Sequence, residues 1–342
     1  MLPRFNSLLV SITEKCHAGC AHCGFHGSPR SQDSDPAEVG NWVEQACRYG
    51  VPIIIFTGGE PFERIDALAS GVAAAAKNGG QAAVFTSSIW AHSAQVAFTT
   101  LKALTGLQHL YLSSDRFHQK RIPYERVHHV IDAALKLAIP AITICIAYAD
   151  PAERDEFFSH YSAYGDRLAF CAERVIPNPS FSSAVLQNQG PLRDCRPEAY
   201  SEVCKIGTPL VNPNGDLFSC HVGTAAAHTD LSQAPYYLGS LRDKSFHEII
   251  AAAVLRPDYQ FLRTHGARGV AQLFQYDTNL MTAVASRGFT APCDMCFTTL
   301  STPEGRSALR RFVCEPDVHD TIDIRLAVLR GEDPLPASNC VP

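Results

Sequence analysis

Thirteen of the 342 residues are cysteines, and three of them lie close together in Cys16-His17-Ala18-Gly19-Cys20-Ala21-His22-Cys23. The spacing is C-x3-C-x2-C, and small residues with Gly19 let such a loop wrap one metal centre. An odd cysteine count in a long chain without a secretory signal argues against a disulfide framework. Two metal readings are open. A structural zinc needs four ligands, so His17, His22 or His26 would have to complete the set. An iron–sulfur cluster is held by thiolates, and three of them on a four-iron cluster leave one iron open to another ligand. Three core cysteines with no metal is the plain alternative.

A second motif follows. The apolar run 52–57 leads into Gly58-Gly59-Glu60-Pro61 and then a helical pattern. Paired glycines at a strand end permit close approach of a ligand to the backbone, and Glu60 is expected to accept from a ligand ammonium. An ordinary strand-to-helix turn would look the same in isolation. With the three cysteines ahead of it, the sequence resembles the radical S-adenosylmethionine (SAM) superfamily over about residues 5–175. That resemblance implies that Cys16, Cys20 and Cys23 hold a [4Fe–4S] cluster whose fourth iron chelates SAM. It implies that Gly58, Gly59 and Glu60 contact the methionine amino group. Thr86-Ser87-Ser88 and Ser113-Ser114-Asp115 end two further strands, where this family touches the SAM carboxylate and ribose. Phe25 would flank the adenine.

The remaining cysteines include Cys204, Cys220, Cys293 and Cys296, in the layout C-x10-G-x4-C followed by C-x2-C. Read alone, two such pairs suit a zinc ribbon. The layout also resembles the auxiliary-cluster modules called SPASM and Twitch. The longer SPASM pattern has further cysteines where this chain has Thr302 and Arg306, so the likeness is to Twitch, with one auxiliary [4Fe–4S] cluster. Cys195 and Cys314 are read as outside that set. In related enzymes an auxiliary cluster accepts the electron of an oxidised substrate, relays electrons or anchors substrate, and the residues leave all three roles open.

Four side chains are weighed as catalytic: Cys145, Cys171, Asp115 and His118. Strand parity turns both cysteines inward, where a thiol can give hydrogen to a substrate radical or simply fill the core. Asp115, Arg116 and His118 follow a strand at its C-terminal edge, to position substrate or ribose or to form a loop ion pair. His128 and His129 read as surface residues of a helix, and Cys47 as core. Cys340 lies in a Pro-rich tail with no assigned role.

The elements that must position these groups follow a βα rhythm. Strand patterns cover residues 6–13, 52–57, 81–87, 107–113, 140–148 and 167–173. Helical spacing follows Pro61 and Pro123, and Pro36 and Pro151 mark first turns. The expected fold is α/β, a partial (βα)6 TIM-like barrel, with a smaller C-terminal Twitch-like module. Parity sends Ile142, Ile144, Ile146, Leu110, Leu112, Leu168 and Phe170 toward outer helices. It sends Tyr111, Ser113, Asp115, Thr143, Ala147 and Glu173 inward with Cys145 and Cys171. The expected division is 1–189 for the barrel, 190–316 for the auxiliary module and 317–342 for a tail with one short helix. Residues 177–190 read as a long loop, and 211–219 as a hairpin turning at Asn214-Gly215.

Composition sets the outer bounds. Hydrophobic residues make up 46% and charged residues 18%, as in a folded globular chain. A net charge of −5 and the lack of any Lys/Arg block argue against nucleic acid as a partner. No apolar run is long enough to span a membrane, and Met1 to Phe5 lacks a secretory pattern, so a cytoplasmic protein is expected. The resemblance implies a SAM-cleaving oxidoreductase acting on a peptide or a small natural product, fed by an external donor of flavodoxin or ferredoxin type. The absence of a peptide-recognition domain before Phe5 weighs against a ribosomal-peptide substrate. Two alternatives stand: an epimerase or dehydrogenase of a sugar or aminocyclitol with a cysteine hydrogen donor, and a non-catalytic iron–sulfur or zinc protein.

Overall fold

Asp35 accepts hydrogen bonds from the backbone N–H groups of Ala37 and Glu38, and Pro36 fixes the first turn behind it. Helix α1 (Pro36–Tyr49) starts there and stops at Gly50, whose φ of 103° suits glycine. The same logic of cap, apolar stripe and stop recurs along the chain in a computed structural model that describes residues 2–20, 23, 32–148, 151–174, 206–221, 230–280 and 292–330. Around α1 lie β1 (Leu8–Thr13), β2 (Ile53–Gly58), α2 (Ile65–Lys77), β3 (Gln81–Thr86), α3 (Ala94–Lys102) and β4 (Leu107–Ser113). Then come α4 (Arg116–Gln119), α5 (Tyr124–Lys136), β5 (Ala141–Tyr148), α6 (Pro151–Ser159) and β6 (Ala169–Arg174). The six expected strands all form, each within two residues of its expected ends.

Strands β1 to β6 pair in chain order and in parallel, as strand–helix–strand units require. Among the described residues β6 pairs with β5 alone, so the sheet stays open, as the (βα)6 reading expects. The second part of the chain continues this sheet. The hairpin of β7 (Leu210–Val211) and β8 (Asp216–Phe218) turns at Gly215, with φ 82°, and Asn212 accepts from the N–H groups of Asn214 and Asp216. β7 lies parallel to β1, and β9 (Tyr237–Ser240) follows β8 antiparallel. That attachment of the hairpin to β1 was not expected.

Alternation along the strands separates two cores. Val10, Ile54, Phe56, Leu110, Leu112, Ile142, Ile144 and Ile146 face the outer helices and bury with Trp42, Val72 and Val130. Each such side chain contributes roughly 1.5–3 kcal/mol when fully buried. On the hairpin, Val211 and Leu217 join this core, while Leu210 and Phe218 join a second one on the opposite face. Helix α7 (Phe246–Ala253) packs on α1, starting from a Ser245–Glu248 capping box. The second core is built instead by α8 (Pro257–Tyr276), kinked at Gly266, with α9 (Pro292–Leu300), α10 (Pro303–Phe312) and α11 (Pro316–Arg330).

Three expectations are corrected. Phe170 does not bury against outer helices: it is 42% exposed, because among the described residues β6 ends the sheet, and its ring meets that of Phe158 on α6. His128 and His129 are half-buried, bound to the Tyr164 hydroxyl and the Ala91 carbonyl. The tail helix α11 runs for 15 residues rather than a short turn. The loop at 177–190 lies outside the described residues, as do Phe25, Glu173's side chain, Cys195, Cys204 and Cys340. No helix among the described residues is long and apolar enough to cross a membrane.

Candidate active site

The loop bearing Cys16 and Cys20 leaves the C-terminal end of β1 and is held by its neighbours at every step. Thr13 Oγ1 donates to Asp33, Lys15 Nζ pairs with Asp33 at 2.5 Å, and Arg64 closes the other side at 3.1 Å. The N–H of Gly59 donates to Thr13 O and that of Glu60 to Lys15 O, both at 2.7 Å. These contacts account for the paired glycines. A Cβ on Gly58 would sit 2.2 Å from Thr13 O, and one on Gly59 2.0 Å from Lys15 O. The close approach expected of a ligand is made by the protein's own backbone, which sets the cysteine loop against β2.

The three thiols share one half-buried region. Burial pushes the Cys16 thiol up to about 12; the Ala18 N–H on its sulfur works the other way, and Glu60, Cys23 and Cys20 add to the rise. His17 pairs through Nδ1 with Glu63 at 2.8 Å. His22 and His26 lie outside the described residues. Among the described residues no three His, Cys, Asp or Glu side chains gather tightly enough for a single metal ion. A mononuclear zinc needs sulfurs converging at ~2.3 Å, whereas a cluster spreads its ligands around an inorganic core. The donor set fits a cluster.

Beside the loop, Glu60 is 1% exposed and fully engaged. Its carboxylate accepts from Thr86 Oγ1, Ser87 N, Ser87 Oγ and Phe62 N. Burial raises its pKa, and these donors oppose the rise. Its side chain ties the end of β2 to the end of β3. Ser87 is spent on the same contact. Next to it, Ser88 sits at φ 65°, and its buried hydroxyl has no partner among the described residues.

Asp115 is held by protein donors too, and its contact with His118 is the loop ion pair, one of the two readings of that residue. It is 1% exposed and caps α4, accepting from Phe117 N, His118 N and His118 Nδ1, and from Ala147 N across the sheet. His118 in turn reaches Cys20. Burial works against its charge, yet the Asp115 carboxylate and the Cys20 sulfur raise its pKa to about 10.

The inner face of the sheet carries the groups that parity pointed inward. Tyr111 stacks between Phe85 at 4.4 Å and His109 at 3.9 Å, and His109 Nε2 lies 2.8 Å from Thr143 Oγ1. Phe85 and His109 were missed, although His109 lies two residues from Tyr111, already assigned inward, and Phe85 two residues before Ser87 at the end of its strand. Burial lowers the pKa of His109. Ser113 is half-buried here, level with Cys145, and Cys145 is level with Cys171 on the next strand. Burial raises the Tyr111 phenol, and both thiols add to the rise.

The second cysteine set lies at the other end of this face. Cys220 follows β8 just past Phe218, which is level with Leu210 and so with Leu9 near the start of β1. Cys293 and Cys296 stand one turn apart on α9, and Cys220 and Cys296 pack against the second core. The phenol of Tyr236, 1% exposed, is raised by burial first and then by Cys296 and Cys220. Its hydroxyl, and those of the buried Ser219 and Thr299, have no partner among the described residues. Buried hydroxyls without acceptors are costly, and the sulfides of a cluster would supply them. Cys314 is exposed.

Residues 10–158 match the family model of the Radical SAM superfamily. A probable GTP 3',8-cyclase of Methanococcus aeolicus is 36% identical over 62 residues, 18% of this chain and 21% of the cyclase. One of Methanocella arvoryzae is 38% identical over 64 residues. The match thus spans about a fifth of the length of these curated relatives. The solved structure of anSMEcpe with bound AdoMet and Cp18Cys peptide superposes with a TM-score of 0.52 at 12% identity, over 94% of this chain and 99% of that one. SuiB of Streptococcus suis bound to the precursor peptide SuiA gives a TM-score of 0.47 at 13% identity, over 85% and 76%. Residues 10–158 of the chain are a radical SAM domain, the domain of enzymes that cleave SAM reductively with a [4Fe–4S] cluster.

Proposed function

We propose that this protein is a radical SAM oxidoreductase acting on a peptide, with Cys16, Cys20 and Cys23 as ligands of the SAM-binding [4Fe–4S] cluster. The observation that carries the reading is the thiol-only loop, pinned to β2 by backbone contacts that only glycine permits, inside a matched radical SAM domain. When bound, the cluster and SAM supply a 5′-deoxyadenosyl radical able to take hydrogen from an unactivated C–H. The protein's part is to orient and to exclude water. Glu60 and Asp115 lock the ends of β2 to β5 above the sheet's inner face, and Phe85, Tyr111 and His109 form a stacked wall below. Ser113 remains as a polar group for the SAM or substrate side.

Cys220, Cys293 and Cys296, with Cys204, are proposed to hold an auxiliary cluster. The orphaned hydroxyl of Tyr236, near Cys296 and Cys220, supports this as a buried donor without an acceptor. The peptide class rests on fold likeness to a peptide-bound structure and is an analogy. An electron donor of flavodoxin or ferredoxin type would reduce the first cluster.

The decisive experiment is anaerobic reconstitution followed by incubation with dithionite and SAM. The wild type should release 5′-deoxyadenosine and methionine, and the triple Cys16→Ser, Cys20→Ser, Cys23→Ser variant should release none above background. Equal release from both would overturn the ligand assignment. A second reading is favoured by Cys145 and Cys171 lying level on neighbouring strands of the inner face. There a thiol would return hydrogen to a substrate radical, as in epimerisation. Solvent deuterium should enter the product in wild type and not in the Cys145→Ala or Cys171→Ala variant; full incorporation in both would dismiss that role.

A further inference from the structure

Cys145 on β5 and Cys171 on β6 are level in a parallel pairing, so their side chains leave the sheet on the same face. Level residues of neighbouring strands have backbones about 4.8 Å apart. That lies inside the range of roughly 4.4–6.8 Å between Cα atoms that a disulfide spans. Closing the bond brings the Cβ atoms to roughly 4 Å, which asks one strand to give by a fraction of an ångström. β6 can give, because among the described residues it is the last strand of the sheet and pairs with β5 alone. The neighbouring steps on this face leave the sulfurs room: Thr143 and Ala169 precede the pair and Ala147 follows it on β5, all small. The two thiols differ in access. Cys171 is exposed and Cys145 is half-buried. That asymmetry suits a redox pair, in which an outer thiol meets the oxidant and a sheltered one resolves the product.

We infer that Cys171 and Cys145 are a redox-active dithiol, a modification site for small disulfides of the glutathione class. The Cys171 thiolate attacks one sulfur of glutathione disulfide, and the first glutathione leaves as its thiolate. Cys145, after giving its proton to solvent, attacks the Cys171 sulfur of the mixed disulfide, and the second glutathione leaves. Two protein thiols thus lose two protons and two electrons, and glutathione disulfide takes them up as two thiols. The new bond spans β5 and β6 on the inner face, level with Ser113 on β4. It clips the last strand to its neighbour and removes both S–H groups from that face. Where these thiols return hydrogen to a substrate radical, only the reduced pair has hydrogen to give. That consequence rests on the epimerase reading; the bond itself does not.

The test reads the bond directly. Full-length protein, with and without reconstitution, is equilibrated anaerobically in glutathione buffers of rising disulfide content, quenched in acid, alkylated and digested with trypsin. Cys145 falls in the peptide 137–154 and Cys171 in 168–174. Mass spectrometry should find these two joined as the main product of either cysteine, in a species that dithiothreitol separates. In the reduced protein Cys171 should alkylate about tenfold faster than Cys145, because the outer thiol is open to the reagent. Cys145→Ser should stop at a Cys171–glutathione adduct, and Cys171→Ser should leave Cys145 largely unmodified. Absence of the joined peptides across the whole series would overturn the inference, as would Cys145 or Cys171 linked chiefly to other cysteines. The wild-type map decides the matter even where a serine variant does not fold. Joined peptides together with full solvent-deuterium incorporation in both Cys145→Ala and Cys171→Ala would keep the dithiol and dismiss the hydrogen donor.

Discussion

Gly59 shows how a single atom sets the geometry of this site. Its N–H supports Thr13 O, and an added Cβ would fall 2.0 Å from Lys15 O, a backbone atom that cannot move alone. Gly59→Ala must push the cysteine loop off β2. The expected cost is about 2–3 kcal/mol in thermal unfolding of the cluster-free chain, the upper range for overpacking. Iron retained after reconstitution should fall severalfold, because the three thiols lose their common register. Wild-type iron content in a normally folded Gly59→Ala variant would contradict this. The residue types of the site were legible in the sequence, but not their partners. A glycine that makes room for a ligand and one that makes room for a neighbouring loop have the same signature. The same holds for Glu60 and Asp115, whose acidity suggested ligand contacts. Both accept from protein donors, which the juxtaposition of β2 with β3 and of β4 with β5 supplies and no local pattern announces.

At the scale of elements, Asp33 latches the loop that follows β1. It lies between the cysteine motif and α1, takes donors from Thr13 and Lys15, and faces Arg64. Burial alone would raise its carboxyl, but Lys15, Thr13 and Arg64 together hold it below the usual 3.8. A carboxyl lowered on folding stabilises fully above its unfolded value and loses that contribution as pH falls through the folded one. Asp33→Asn should therefore cost about 1–2 kcal/mol at pH 7, in the range for hydrogen bonds to a charged group that is partly exposed. The difference from wild type should shrink below about pH 4, where the unfolded carboxyl is protonated. Urea unfolding of the cluster-free chain at both pH values checks it; a gap that widens in acid would be the wrong sign. The strands and helices themselves were readable, because period-2 and period-3.6 patterns are local. Phe170 was misplaced for a reason that pattern cannot carry. Its parity is right, but covering it needs a helix beyond the sheet's last strand, and among the described residues only α6 reaches it. Asp33 was missed because its partners lie 18 to 31 residues away with no motif to announce them.

The whole molecule joins its two cysteine sets through one sheet. β7 lies parallel to β1, so the hairpin is fixed to the sheet by backbone hydrogen bonds. The register then separates the sets. Cys16 follows the C-terminal end of β1, while Cys220 lies near the level of Leu9, with on the order of 13 Å of strand between Leu9 and Thr13. Leu210 and Phe218 face the second core while Val211 and Leu217 face the first, so Cys220, two residues past Phe218, shares the second core's side. A substrate on the inner face would then lie between two centres that do not share ligands. Two consequences follow for the Cys220→Ser, Cys296→Ser double variant. Iron should fall from about eight to about four per chain, the content of one [4Fe–4S] cluster. Release of 5′-deoxyadenosine without substrate should stay within about twofold of wild type, since the described contacts of the Cys16 loop are with β2, Asp33 and Arg121, while oxidation of the substrate should stop. Loss of all iron would show instead that the two sites fold as one, through the β1–β7 pairing; retention of all of it would place the second centre elsewhere.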